Sequence, residues 1–158
     1  MEVSGIAERQ NGMKIVLYGA TGNSGSRILT ELLARGHEVV AVSRDPSKLA
    51  SQAGVIVRRD DLTEVANTTE ILRGADAVVS AYVPPQDDTD AVLGVTRRQI
   101  EAVRTAWVDR LLIVGGAGGL EVAPGVSLID SGHGPEAWLP IARSHVKALE
   151  ILQASDID

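Results

Sequence analysis

Three glycines, Gly19, Gly22 and Gly25, follow directly on the apolar run at 14–18 and open a stretch with helical periodicity. No other segment constrains the fold as tightly. A strand must turn sharply into a helix, and the helix must lie close against that strand. Gly19 permits the turn, Gly22 keeps a β-carbon out of the space above it, and Gly25 lets the helix pack on the sheet. The rest of the chain alternates short β-branched runs with helix-length amphipathic stretches, the pattern of a parallel sheet covered on both faces.

The pattern predicts strands over 14–18, 38–43, 55–58, 75–81 and 110–114. Helices are expected over 22–35, 67–73, 91–107 and 139–154, with Ile28, Leu29, Leu32 and Leu33 forming the apolar stripe of the first. Gly36 and Gly74 read as helix stops, and Asp45-Pro46 opens a short helix through Leu49 with Asp45 as its cap. Residues 83–90 read as an exposed loop. So does 115–140, which holds seven of the 16 glycines and three of the six prolines. Right-handed crossovers give the strand order 3-2-1-4-5, an α/β three-layer Rossmann fold with a crevice between strands 1 and 4.

At 158 residues this is one domain, and it needs no metal or disulfide to hold it. The chain has no Cys, which closes off a disulfide framework, a thiolate metal site and a cysteine nucleophile. A net charge of -6 repels nucleic acid and anionic lipid, so a small-molecule partner is expected. No apolar run approaches the length of a membrane span, and residues 1–12 lack the apolar middle of a signal peptide. They read as a flexible leader to a domain over 13–158, and a cytoplasmic location is expected. A homodimer through the helix at 91–107 is one arrangement open to the chain. Trp107 and Trp138 are expected to cover the core or a subunit contact.

The glycine turn has the chemistry of an anion cradle. The backbone at Gly19, Thr21 and Gly22 can approach a pyrophosphate, and the amides of Asn23, Ser24 and Gly25 begin a helix whose dipole favours negative charge. The end of the second strand then selects the nucleotide, since an acid there would hold a ribose diol. Ser43-Arg44 stands there instead, with Lys48 one turn on. A 2′-phosphate can be paired by these cations, which favours NADP(H) over NAD(H); the alternative is that Arg44 is a solvated surface charge. No kinase-type phosphate loop follows, since no Gly-Lys-Ser or Gly-Lys-Thr is present.

With the segments Gly19-Ala-Thr-Gly-Asn-Ser-Gly25 and Gly115-Gly-Ala-Gly-Gly-Leu-Glu-Val-Ala-Pro-Gly125, the chain resembles the atypical short-chain dehydrogenases. The group meant is the NAD(P)H-binding one of NmrA-like proteins, biliverdin and flavin reductases, and YwnB-like proteins. The resemblance implies that Asp61-Leu62 meets the adenine, that Ala81-Tyr82-Val83 lines the ribose and nicotinamide side, and that Gly115-Gly116 borders the cofactor. In that group the chain continues past a segment like that at 154–158 into a further strand and a small substrate-binding region, so the resemblance implies either a truncated chain or a minimal pocket here. Related chains often carry Ser at the place of Gly119, and a dehydrogenase Tyr would stand four residues before Lys147, where this chain has Arg143. Loss of that phenol argues against ordinary alcohol dehydrogenation. Hydride transfer from NADPH to a flavin-like or quinone-like acceptor asks less of the protein, mainly orientation and exclusion of water. A non-catalytic NADP(H) sensor of NmrA type is the alternative.

Three side chains are candidates for catalysis. Tyr82 ends a strand at the crevice and can stack on a ring, or simply pack. His133 sits in a flexible stretch where it either donates a proton over the crevice or is an exposed loop histidine. Lys147 reaches a ribose hydroxyl or is a solvated helix charge. His37 follows Gly36 in a turn and reads as solvated, and His145 is given no role. Asp60, Asp61, Asp87, Asp88 and Asp90 show no metal-ligand spacing and read as surface charge, so no metal is expected.

Overall fold

β1 (Lys14–Tyr18), β2 (Glu38–Ser43), β3 (Val55–Arg59), β4 (Ala77–Ser80) and β5 (Leu111–Ile113) form one parallel sheet in the order β3-β2-β1-β4-β5. This is the order expected from the crossovers. The computed structural model describes residues 12–49 and 53–157. The leader expected over 1–12 therefore lies outside the described residues except for Gly12.

Alternation along each strand divides the core into two layers. Val16 and Tyr18 of β1 and Val40 and Val42 of β2 face one way, against Val95, Ile100 and Val103 of α3 (Ala91–Ala106) and Leu72 of α2 (Val65–Leu72). Ile151 and Leu152 of α4 (Leu139–Gln153) pack at the edge of this layer. Leu17, Val39 and Ala41 face the other way, against Leu29, Ile28, Leu32 and Leu33 of α1 (Asn23–Ala34). Leu17 is fully buried, and a side chain of its size contributes about 2 kcal/mol on leaving water.

Gly36 and Gly74 adopt φ of +77° and +71° just past α1 and α2, so both act as the expected stops. A 3-10 turn, Pro46–Leu49, joins β2 to β3, and the Asp45 carboxylate accepts from the Ser47 amide at its start. Among the described residues no helix is long and apolar enough to cross a membrane.

Elsewhere in the fold the structure departs from the sequence reading. Within 115–140 a small antiparallel hairpin forms, β6 (Glu121–Ala123) with β7 (Val126–Ser127). Strands of three and two residues are too short for alternation to register. Trp107 does not cover the core: it is 90% exposed, in the left-handed conformation (φ 57°) that ends α3. His37 is half-buried rather than merely solvated, and its Nδ1 accepts from the Met13 amide at 3.1 Å.

Candidate nucleotide-binding site

The strand order reverses at β1 and β4, and there the carboxyl ends surround a crevice of about 240 Å³. Gly19, Thr21 and Gly22 form one wall. Ser43, Arg44 and Lys48 enter from the end of β2, Asp61 and Leu62 from the end of β3, and Ala81 and Tyr82 from the end of β4. Ten of the positions read from the sequence therefore converge.

The glycine turn is built around one oxygen. The Gly22 amide donates to the Gly19 carbonyl at 3.0 Å, and a β-carbon on Gly25 would lie 2.0 Å from that same oxygen. Gly19 itself has φ +74°, and its added β-carbon would lie 2.4 Å from the Ala81 carbonyl. A β-carbon on Gly22 meets only the Gly19 oxygen, at 3.3 Å. Gly19 and Gly25 thus serve close packing, while Gly22 leaves the turn open above. The first bond into α1 runs from Ser26 N to Gly22 O, and no side chain caps the helix. The amides of Asn23 and Ser24 consequently have no acceptor among the described residues, as an anion site at a helix N-terminus requires. These residues suit a nucleotide pyrophosphate.

Asp60 corrects the surface reading given to it. It is 6% exposed, and its Oδ2 accepts from the Tyr18 hydroxyl at 3.0 Å and the Thr68 hydroxyl at 2.9 Å. Oδ1 accepts from Asn67 Nδ2 and the Asp61 amide, both at 2.9 Å, and from the Leu62 amide at 3.3 Å. A run of side-chain donors reaching across from β1 and α2 cannot be read from an Asp at a strand end. The network fixes the corner at Asp61-Leu62, where Leu62 has φ 63° and its carbonyl accepts from Arg98 Nε at 2.6 Å. Burial, together with the Asp60 charge, pushes the Tyr18 phenol far above its ordinary range. Asp61 is exposed. Hydrogen bonds from the Thr63 hydroxyl and amide hold its carboxyl below the usual range. Burial likewise raises the half-buried Tyr82 phenol, with the Arg44 charge opposing the shift.

The remaining candidates lie elsewhere. Asn23, Ser24 and Gly25 sit in the first turn of α1 and are not among the residues that line the crevice. His133 and Lys147 are exposed, and neither borders the crevice; His133 Nδ1 is 3.0 Å from the Ser131 hydroxyl. Gly115 borders no part of it, and Gly116 faces a different cavity of about 470 Å³. That cavity is apolar, walled by Gly118, Ile129, Trp138, Ala142 and His145. The sequence gives His145 no role, yet burial in this wall lowers its pKa. The legible signal was the spacing Trp138, Ile141, Ala142, His145, one face of a helix. Among the described residues no cluster of three His, Asp or Glu is placed to hold a metal.

Comparison with known proteins agrees with this geometry. The protein YwnB of Bacillus subtilis is 38% identical over 148 residues, covering 91% of this chain and 67% of YwnB. Among solved structures, a provisionally assigned epimerase from Bacteroides thetaiotaomicron is 40% identical with a TM-score of 0.83, over 93% of this chain and 68% of that one. A provisionally assigned NADH-flavin reductase from Streptococcus pneumoniae is 28% identical with a TM-score of 0.80, over 92% of this chain and 68% of its own. The chain thus spans about two-thirds of the length of these relatives. The family model described as NAD(P)H-binding matches residues 19–158, from the first glycine of the turn onward, and the chain belongs to that NAD(P)H-binding family.

Proposed function

We propose that the chain is an NADPH-dependent reductase that passes hydride to a small, planar, flavin-like or quinone-like acceptor. The observation that carries this reading is the crevice itself, with Arg44 and Lys48 where a ribose-binding acid would otherwise stand. Bound there, NADPH supplies the hydride. The Asn23 and Ser24 amides hold the pyrophosphate, Arg44 and Lys48 pair the 2′-phosphate, and Asp61-Leu62 shapes the adenine end. Tyr82 packs against the nicotinamide side and excludes water. The apolar cavity at Gly116 and Trp138 suits an uncharged ring system, and a ring N–H of His145 can donate one hydrogen bond to it. The resemblance to the Streptococcus pneumoniae protein supports a reductase. We further propose a cytoplasmic location and a homodimer.

Calorimetric titration with NADPH and with NADH, followed by mixing of the NADPH complex with free flavin or a quinone, tests it. Tighter binding of NADPH and loss of nicotinamide absorbance on mixing are expected. Tight binding with no oxidation by any acceptor would overturn the reductase reading in favour of the sensor.

A further inference from the structure

Past the end of β3 the crevice continues into a polar depression of about 390 Å³, lined by Arg44, Arg59, Asp60, Asp61 and Asn67. Arg44 borders both spaces. Arg59 is the last residue of β3 and lies opposite Ser43 of β2 in the sheet register. By alternation it shares the face of Val55 and Val57, which pack in the same layer as Leu49 of the 3-10 turn that carries Lys48. Three cations thus gather at the ends of two neighbouring strands.

These cations act on nearby carboxylates only at longer range, Lys48 and Arg59 on Asp45 and Arg59 on Asp61. Among the described residues none of Arg44, Lys48 and Arg59 has a carboxylate within ion-pair distance. The two nearby exposed acids turn back on their own loops: Asp45 accepts from the Ser47 hydroxyl at 2.6 Å, and Asp61 from the Thr63 hydroxyl at 2.6 Å. The Asp60 carboxylate is already filled by five donors.

We propose that Arg59 is a specificity-determining residue of the nucleotide site, binding the 2′-phosphate of the adenosine ribose from the β3 side while Arg44 binds it from the β2 side. The inference rests on the NADPH reading. Strand ends about 5 Å apart bring two long guanidinium side chains within reach of one phosphate, whose three terminal oxygens offer more acceptors than one fork can fill. An unphosphorylated ribose gives Arg59 nothing comparable to bind. The clamp therefore acts on the difference between NADPH and NADH rather than on binding in general.

The probes are 2′-phospho-AMP and AMP, which carry only this half of the nucleotide, titrated against the wild-type chain, Arg59→Ala, Arg59→Lys and Arg44→Ala. Arg59→Ala is expected to weaken 2′-phospho-AMP about tenfold and leave AMP unchanged, with Arg59→Lys recovering part of the loss. Retention of the full preference in Arg59→Ala alongside its loss in Arg44→Ala would remove Arg59 from the site and keep the NADPH reading. Equal weakening of both probes in Arg59→Ala would also overturn the proposal, as a merely structural effect. A wild-type chain with no preference between the probes would instead bring down the NADPH reading, and the clamp with it.

Discussion

The Tyr18 hydroxyl donates to Asp60 Oδ2 across 3.0 Å beneath the floor of the crevice, joining the end of β1 to the corner after β3. Removal of the acid orphans five donors at once, whereas removal of the hydroxyl orphans none of them. Asp60→Ala is expected to cost about 3 kcal/mol or more and Tyr18→Phe about 1 kcal/mol, measured as shifts in urea midpoint at constant slope.

The same pair sets an alkaline limit. The folded state holds the Tyr18 proton more tightly than the unfolded chain, whose phenol ionises near its ordinary value of 10.0. Stability from this source is complete below that pH and declines as pH rises above it. The midpoint of Tyr18→Phe should fall less steeply than wild type above about pH 10, with Tyr82, also raised, accounting for part of what remains. Parallel declines in the two proteins would refute the assignment.

His145 gives the opposite sign. Its folded pKa is lowered by burial, so below the ordinary histidine range the unfolded chain binds the proton better. Its contribution is complete above about pH 6.5 and is lost as the pH drops. His145→Gln should flatten the decline in melting temperature between about pH 7 and pH 5. An unchanged slope would place the imidazole in water.

The two glycines nearest the Gly19 carbonyl separate binding from folding. Gly22→Ala, whose β-carbon finds a tolerable 3.3 Å contact, should leave stability within about 0.5 kcal/mol and weaken NADPH binding. Gly25→Ala, at 2.0 Å, should damage both, because backbone must move. Circular dichroism melts beside nucleotide titrations check the contrast, and equal stability losses would contradict it.

Trp107 holds a left-handed conformation with almost no packing to justify it. Trp107→Gly is expected to raise stability by about 1 kcal/mol, read from the urea midpoint. A decrease would mean that the indole contributes contacts despite its exposure.

The sheet order and the glycine turn were legible because each rests on local chemistry: β-branched runs, helix stops such as Gly36, and glycines placed between a strand and a helix. Arg44 and Lys48 could be placed because spacing along the chain from the glycine turn marks the end of β2. Arg59 has no such spacing to mark it, because its relevance depends on β3 lying beside β2. Asp60 reads as surface charge in the sequence because its five donors come from Tyr18, Thr68, Asn67 and two backbone amides, contacts that only the assembled fold creates. His145 needed the loop at Gly116 and Ile129 to close its cavity.

The crowding around the Gly19 carbonyl bears on how such chains diverge. Packing alone would preserve Gly19 and Gly25 in a descendant that no longer binds a nucleotide, since any side chain at either would collide with main-chain oxygen. Gly22 is under no such obligation. A lineage released from its ligand is free to drift first at that position, so retention of the outer two glycines records the fold, and retention of the middle one records use.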